Sequence, residues 1–161
     1  MKNVEVLGNA EALKKLDLTG IAGIKLSYAI ISNARALEAE AKNITESIKY
    51  PQEYTDLKEK GREQFKEHAL VDDKGELVIE DNKYVIDPEK AKAYDTLITA
   101  VDAENKGLLE KVQAIEEEYN TFLEEDSTFK VVAVKLSDLP EKITPVQMAT
   151  ISFMVKEFEP E

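Results

Sequence analysis

Apolar residues recur every seven positions along two long stretches of this chain. In the first stretch Ile30, Leu37 and Ile44 share one heptad position, with small residues between them. The second stretch fills both apolar heptad positions, with Tyr94, Val101, Leu108, Ile115 and Phe122 at one and Ile98, Asn105, Val112 and Tyr119 at the other. This period is typical of helices that pack lengthwise against another helix. The sequence therefore predicts two long helices that pair as an antiparallel, coiled-coil-like hairpin.

Proline residues and turn signals set the limits of these two arms. The first arm begins at Thr19 or Gly20, is broken at Pro51, and resumes to about His68, because proline lacks an N–H and disfavours helical geometry at the residue before it. Two β-rich runs follow, at residues 77–79 and 84–86, separated by four polar residues, which predicts a β-hairpin between the arms. An N-cap and proline pattern at residues 87–89 starts the second arm, Pro88 to Glu125.

The two ends of the chain predict smaller elements. Alternating Val4 and Val6 indicate a short strand before a helix over residues 10–16. Residues 129–136 (FKVVAVKL) indicate a second strand, which is expected to pair with the Val4–Leu7 segment. A capping-box pattern at Thr144 opens a last helix, Gln147 to Phe158. The predicted fold is α+β and mostly helical, in one domain over residues 1–161, with a core at 20–125 and with 1–19 and 126–161 packing together at one end.

The composition limits the ligands of this chain. Its 33 acidic and 21 basic residues give a net charge of −12, which opposes direct binding to nucleic acid or to anionic membranes. The sequence has no cysteine, so thiolate metal sites and a cysteine nucleophile are excluded. No apolar run has the length of a membrane span or signal peptide, so the expectation is a soluble protein with no membrane association.

The residues that carry enzyme chemistry do not form a recognisable motif. His68 is the single histidine, and it is expected at a helix end on the surface. The acidic clusters lack the spacing of a calcium loop and are expected to face solvent. No serine-nucleophile or phosphate-binding glycine motif occurs. We therefore predict no catalytic, cofactor-binding or metal residues and no enzyme activity, with a carboxylate-based metal hydrolase as the one enzyme class left open.

Two features suggest an interaction surface instead. Asn105 interrupts an apolar heptad stripe, where one polar residue can fix helix register or oligomeric state; an Asn at the edge of an imperfect stripe is the alternative. The last helix carries a run of apolar side chains on one face. The predicted interaction residues are Asn105, Met148, Ile151, Met154 and Phe158.

The order of these parts resembles a family of small uncharacterised acidic proteins of tailed bacteriophages. The phrases that carry the resemblance are LSYAIISNARALEAEAK (residues 26–42), VDDKGELV (71–78), KYVID (83–87), FKVVAVKL with SDLP (129–140) and ITPVQMATISFMV (143–155). The resemblance implies a phage origin, a location in the bacterial host cytoplasm or on the virion, and no assigned catalytic residues.

These observations favour a non-catalytic interaction or assembly protein. Its expected partner is a protein, either a phage structural protein or a host protein, and a second copy of the chain is a further option. The alternative is an acidic inhibitor, whose carboxylates imitate a phosphate backbone and occupy a host nucleic-acid-binding or defence protein. The interleaved lysines argue against a uniformly negative surface.

Overall fold

The structure is a computed structural model that describes residues 1–19, 23–80 and 83–156. Within these ranges the chain is mostly helical, with six α-helices and two small two-stranded sheets, so the predicted helical α+β class is confirmed. The helices are α1 (Asn3–Lys14), α2 (Ile24–Ser47), α3 (Gln52–His68), α4 (Ala91–Glu104), α5 (Lys106–Leu123) and α6 (Pro145–Ile151). The strands are β1 (Ile79–Glu80), β2 (Lys83–Tyr84), β3 (Val134–Lys135) and β4 (Val155–Lys156).

The chain folds as two compact units. The first unit comprises Met1–Ile48 and Glu118–Glu161, and the second comprises Lys49–Glu117. The organisation of residues 1–161 as one domain stays a prediction.

The core of the first unit is built on one face of α2. The predicted heptad residues Ile30, Leu37 and Ile44 are all buried there, which confirms the buried stripe. Leu26 and Ala29 extend this face toward the start of the helix, and α1 packs against it. The helix begins at Ile24, four or five residues later than expected, after Gly23 in a left-handed conformation with φ of +119°; residues 20–22 lie outside the described ranges.

The predicted strand at Val4 to Leu7 is wrong, because these residues belong to α1. The helix is favoured at its start by the carboxylate of Glu5, whose Oε2 accepts the backbone N–H of Lys2 at 2.7 Å. Val6 is buried in the core while Val4 faces outward. Over only three residues, the sequence pattern of this helical arrangement cannot be distinguished from the alternation of a strand. The expected pairing of this segment with residues 129–136 is therefore wrong as well.

The last part of the first unit forms a parallel pair of short strands instead. β3 pairs with β4, with Val134 opposite Val155. The capping box at Thr144 is confirmed, since its Oγ1 accepts the N–H of Gln147 and the side-chain Oε1 of Gln147 accepts the N–H of Thr144. The helix ends at Ile151, followed by a 3₁₀ turn at Ser152–Met154, so the prediction of a helix to Phe158 is wrong over residues 152–156.

In the second unit, the predicted break at Pro51 is confirmed because α2 ends at Ser47 and α3 begins at Gln52. The predicted β-hairpin is confirmed as the antiparallel pair β1 and β2, in which Ile79 lies opposite Tyr84; residues 81 and 82 lie outside the described ranges. The turn before it places Gly75 at φ of +81°, a conformation that glycine adopts at little cost.

The predicted second arm, Pro88 to Glu125, is present as two helices rather than one. Residues 88–90 form a turn, α4 begins at Ala91, and Asn105 separates α4 from α5. Along both helices the predicted stripe residues are buried or half-buried, with Val112 the most buried of α5. The heptad pattern therefore located the inward face correctly although it did not predict the interruption.

Candidate interaction surface

Asn105 forms its hydrogen bonds within its own helical turn. Its backbone N–H and its Nδ2 both donate to the carbonyl oxygen of Val101, at 3.0 and 2.8 Å. Its own carbonyl oxygen accepts the N–H groups of Leu108 and Leu109, which starts α5. The amide therefore supports the junction between two helices, and its predicted role in helix register or oligomeric state stays a prediction.

A groove in the second unit runs beside Asn105, between α3 and α4. It has a volume of about 440 Å³, and its lining includes the carboxylates of Glu53, Asp56 and Glu104 together with Lys60. Carboxylate oxygens are the ligands with which a metal-dependent hydrolase would hold a divalent cation. Within the described ranges, however, no group of three or more acidic, histidine or cysteine side chains is placed to hold a metal ion.

His68 is the last residue of α3, as the sequence predicted. Its Nδ1 lies 2.7 Å from the carbonyl oxygen of Gln64, and its ring centroid lies 5.5 Å from that of Tyr94. The imidazole is thus engaged with its own helix and with an aromatic neighbour from α4.

The apolar side chains of the last helix are part of the first unit's core. Ile151 is 0% exposed and Met154 is 1% exposed, while Met148 is half-buried against the same core. The surface predicted at Ile151 and Met154 is thus occupied by the protein's own packing, because the chain turns after Ile151 and directs Met154 inward. Phe158 lies outside the described residues.

Asn33 has a structural role that no sequence pattern indicated. It is fully buried in α2, where its Nδ2 donates to the carbonyl oxygen of Val132 at 2.9 Å and its Oδ1 accepts the N–H of Val132 at 2.8 Å. Its Nδ2 also lies 2.9 Å from the sulfur of Met154. One side chain thereby pairs with both backbone polar groups of Val132, in the segment that leads to β3.

The outer face of α2 carries three large apolar side chains that are open to solvent. Ile24 is 90% exposed, Tyr28 65% and Ile31 47%. Successive helical residues are rotated by about 100°, so positions i, i+4 and i+7 form one row, and this row lies roughly opposite the buried Leu26, Asn33 and Leu37. We call Ile24, Tyr28 and Ile31 the outer stripe.

The charges around the outer stripe differ from those of the whole chain. Between Ile24 and Leu37 the sequence contains two charged residues, Lys25 and Arg35, which are both basic, and the exposed Glu38 follows as the first acidic residue of α2. Lys25 donates from Nζ to Oδ1 of Asp138 at 2.9 Å, and this hydrogen bond lowers the pKa of Asp138. Arg35 is exposed one turn beyond Ile31, and within the described part of the chain it forms no ion pair.

A shallow apolar groove lies where α1 packs beside α2. It has a volume of about 340 Å³; Leu7, Ala10, Ala34 and Ala41 form its apolar surface, and Glu11, Lys14 and Glu38 complete its lining. Ala34 and Glu38 follow Ile31 by three and seven residues, so this α1/α2 groove borders the outer stripe on the helix surface. Together they form a surface along most of α2.

The outer stripe has its own signal in the sequence, separate from the heptad row. Ile24, Tyr28 and Ile31 follow an i, i+4, i+7 spacing in the same segment as the buried row of Leu26, Ile30 and Leu37. A helix with two apolar faces needs two partners, and one of them can lie outside the chain. Only the buried row was assigned because the heptad continues through Ile44.

The comparisons with known proteins do not narrow the choice of partner. Searches against protein-family models, curated proteins and solved structures found no match. Among the helices in the described ranges, none combines the length and the apolar character that crossing a membrane requires.

Proposed function

We propose that this chain is a non-catalytic protein-interaction or assembly protein, and that it docks its partner on the outer stripe of α2. The observation that carries this proposal is the row of exposed Ile24, Tyr28 and Ile31 on the helix face opposite the core. Contiguous exposed apolar side chains mark interaction sites, and an exposed tyrosine within such a row is a frequent anchor of binding energy. The resemblance to phage proteins makes a phage structural protein or a host protein the expected partner, in an infected bacterial cell.

We also propose that the second unit provides a helical hairpin as a scaffold. Three observations support antiparallel arms. The Phe65 and Tyr94 rings lie 6.0 Å apart near the β-hairpin, and Leu57 and Val101 line one groove farther along. Farther still from the β-hairpin, the hydroxyl of Tyr50 donates to Oε1 of Glu116 at 3.3 Å.

Cysteine cross-linking tests the hairpin directly because the chain has no cysteine of its own. The Leu57→Cys, Val101→Cys pair should be joined by a short bismaleimide, since packed helix axes lie about 8–10 Å apart. The Leu57→Cys, Ile115→Cys pair is the matched control. It should not be cross-linked, because Ile115 lies roughly 20 Å beyond Val101 along the arm at about 1.5 Å per residue. Equal cross-linking of both pairs would contradict the antiparallel alignment.

Comparative co-purification tests the proposed docking surface. Wild-type chain, Tyr28→Ser and Val146→Ser are each tagged, produced in phage-infected bacteria, and isolated under identical conditions. Val146 is the matched control because it is an apolar residue of the same unit that is 75% exposed but lies on α6. We expect one protein to be recovered with wild type and with Val146→Ser but reduced about 10-fold or more with Tyr28→Ser, the size of effect typical of an interface anchor.

The opposite result is equally informative. If every protein recovered with wild type is recovered to the same extent with Tyr28→Ser, the outer stripe is not the docking surface. Circular dichroism of the purified variants shows whether both retain the helical fold, as surface positions should.

The acidic-inhibitor alternative stays a prediction, and one observation favours it. Residues 116–118 and 124–126 form two exposed acidic clusters around the end of α5. Several of these carboxylates already have partners. Lys2 Nζ lies 2.6 Å from Oε2 of Glu124, and the Met1 amino nitrogen lies 3.9 Å from Oδ1 of Asp126. Glu116 and Glu117 accept hydrogen bonds from the Tyr50 hydroxyl and from the side-chain amide of Gln113. Binding to a basic host protein should weaken steeply as salt rises; a complex that is insensitive to salt would exclude this alternative.

A further inference from the structure

We infer that the β-hairpin of the second unit carries a further docking surface, which binds a basic segment of a partner protein through apolar side chains at the centre of that segment. This inference goes beyond the proposed function, because the surface lies within the second unit and includes no residue of the outer stripe. Its evidence is the exposure, the support and the charge of residues 69–90.

Three large apolar side chains lie exposed on one face of this β-hairpin. Ile79 of β1 lies directly opposite Tyr84 of β2, and their side chains are 57% and 53% exposed. Val71 is 52% exposed and pairs with Leu77 in an isolated antiparallel bridge. Side chains alternate between the two faces of a strand, so Leu77 and Ile79 share a face and Val71 lies beside them. We call Val71, Ile79 and Tyr84 the β-hairpin patch.

The β-hairpin patch is held in place by the residues around it. The ring of Tyr84 lies 5.9 Å from the ring of Phe65 on α3. The N–H groups of Leu70, Val85 and Val78 donate to the carbonyl oxygens of Val85, Val78 and Leu70, respectively, which closes a ring of three backbone hydrogen bonds between three extended segments. Groups that are ordered before binding lose less conformational entropy in a complex. Tyr84 is therefore both exposed and fixed, as an interface anchor needs to be.

The charge of this segment is strongly negative. Residues 70–90 contain seven acidic and three basic residues, so they carry a net charge of −4 out of the chain's −12. The three bases are Lys74, Lys83 and Lys90. Among the described side chains, none of the seven acids lies within ion-pair distance of a base.

The acids closest to the patch along the chain are exposed. They are Asp73, Glu76 and Glu80. Of the bases, Lys90 already donates from Nζ to a backbone carbonyl oxygen of α3 at 2.9 Å. Unpaired surface charges act over a Debye length of about 8 Å at physiological salt, so this segment attracts lysine or arginine residues that flank a partner's apolar side chains.

A second copy of the chain fits this surface less well than a basic partner does. Two copies that met at their β-hairpin patches would bring together two segments that each carry a net charge of −4, and like charges at an interface oppose association. An anionic membrane surface is repelled for the same reason. A basic protein segment carries the opposite charge and can still bury its apolar side chains on the patch.

A displayed library of random peptides tests the inference without knowledge of the natural partner. Peptides of about 12 residues, which span roughly 40 Å when extended, are selected for binding to the purified wild-type chain at about 0.15 M salt. We expect the selected peptides to combine apolar residues with flanking lysine or arginine. Tyr84→Ser and Ile79→Ser should each weaken their binding about 10-fold, the loss typical of an interface anchor. Tyr28→Ser, the matched control in the outer stripe, should leave binding within about 2-fold of wild type.

A second arm reverses the local charge on the protein. The double variant Glu76→Lys, Glu80→Lys should weaken the binding of a selected peptide about 10-fold, because its basic residues then meet like charges. The matched control is Glu53→Lys, Glu59→Lys, which changes the net charge equally at two exposed positions of α3. Both control positions lie about 9 Å or more before Phe65 along the helix, so binding should fall about 2-fold or less.

Four results would overturn the inference. They are a library that yields no binding peptide, selected peptides without an excess of lysine and arginine, equal binding by wild type and a folded Ile79→Ser, and dimerisation of the wild-type chain that Ile79→Ser abolishes in light scattering. Circular dichroism checks the fold of each variant, and the exposed Ile79 keeps the test valid if Tyr84→Ser disrupts the β-hairpin. Each of these results leaves the proposed function intact, because that function depends on Tyr28.

Discussion

Replacing Leu37 with Ala is expected to lower the free energy of unfolding by about 3–5 kcal/mol, the range typical of a fully buried leucine. Leu37 is 0% exposed at the centre of the core face of α2. Its removal takes away the transfer free energy of the buried carbons and leaves a cavity that the surrounding helices fill only in part. The heptad row through Leu37 organises the whole first unit, so this change tests the packing at its centre.

Urea unfolding followed by far-UV circular dichroism measures this loss. The matched control is Leu136→Ala, which removes the same atoms from a side chain that is 52% exposed and should cost less than about 1 kcal/mol. If the two variants lost similar stability, Leu37 would not occupy the core position that the structure gives it.

Replacing Asn33 with Leu is expected to lower the free energy of unfolding by about 1–3 kcal/mol, because two part-buried hydrogen bonds to the Val132 backbone are lost and each contributes about 0.5–1.5 kcal/mol. The amide of Asn33 bonds both the N–H and the carbonyl oxygen of Val132, and leucine has the same number and branching of side-chain heavy atoms but cannot form either bond. The segment before β3 would then carry unpaired backbone groups beside the core.

The same unfolding measurement, with Asn43→Leu as its control, checks this prediction. Asn43 is an exposed residue of the same helix, and its Nδ2 lies 3.5 Å from Oε2 of Glu40, so its replacement should change stability by less than about 0.5 kcal/mol. A stable Asn33→Leu variant would mean that the Val132 backbone finds other hydrogen-bond partners.

The heptad row of α2, the helix break at Pro51 and the helix start at Thr144 were predictable from the sequence. Ile30, Leu37 and Ile44 recur over three heptads, and a row of that length has one interpretation, so their burial was predicted correctly. Pro51 and the capping box at Thr144 act through local covalent and hydrogen-bond geometry, which is why the sequence located both.

Short segments at the ends of the chain were not predictable in the same way. Val4 and Val6 are compatible with a strand or a helix, and contacts distant in sequence decide between them: the N–H of Asn3 donates to the carbonyl oxygen of Glu125, and its Nδ2 donates to that of Phe122. The end of α6 at Ile151 likewise depends on the parallel pairing of β4 with β3. Such tertiary contacts override weak local preferences.

The interaction surface was the hardest feature to predict, because apolar residues at the surface and in the core have the same chemistry. Met154 and Ile24 both belong to apolar helical patterns, yet the structure buries the first and exposes the second. The pattern identifies faces, and only the fold determines which face is already occupied.

The dissociation constant of the purified complex tests the central claim most directly. The partner recovered by comparative co-purification is titrated by isothermal calorimetry with wild type, with Tyr28→Ser and with Val146→Ser. If the outer stripe docks the partner, Tyr28→Ser raises the dissociation constant about 30-fold, as expected for loss of an aromatic anchor, while Val146→Ser leaves it within about 2-fold of wild type. Equal dissociation constants for wild type and a folded Tyr28→Ser would contradict the account.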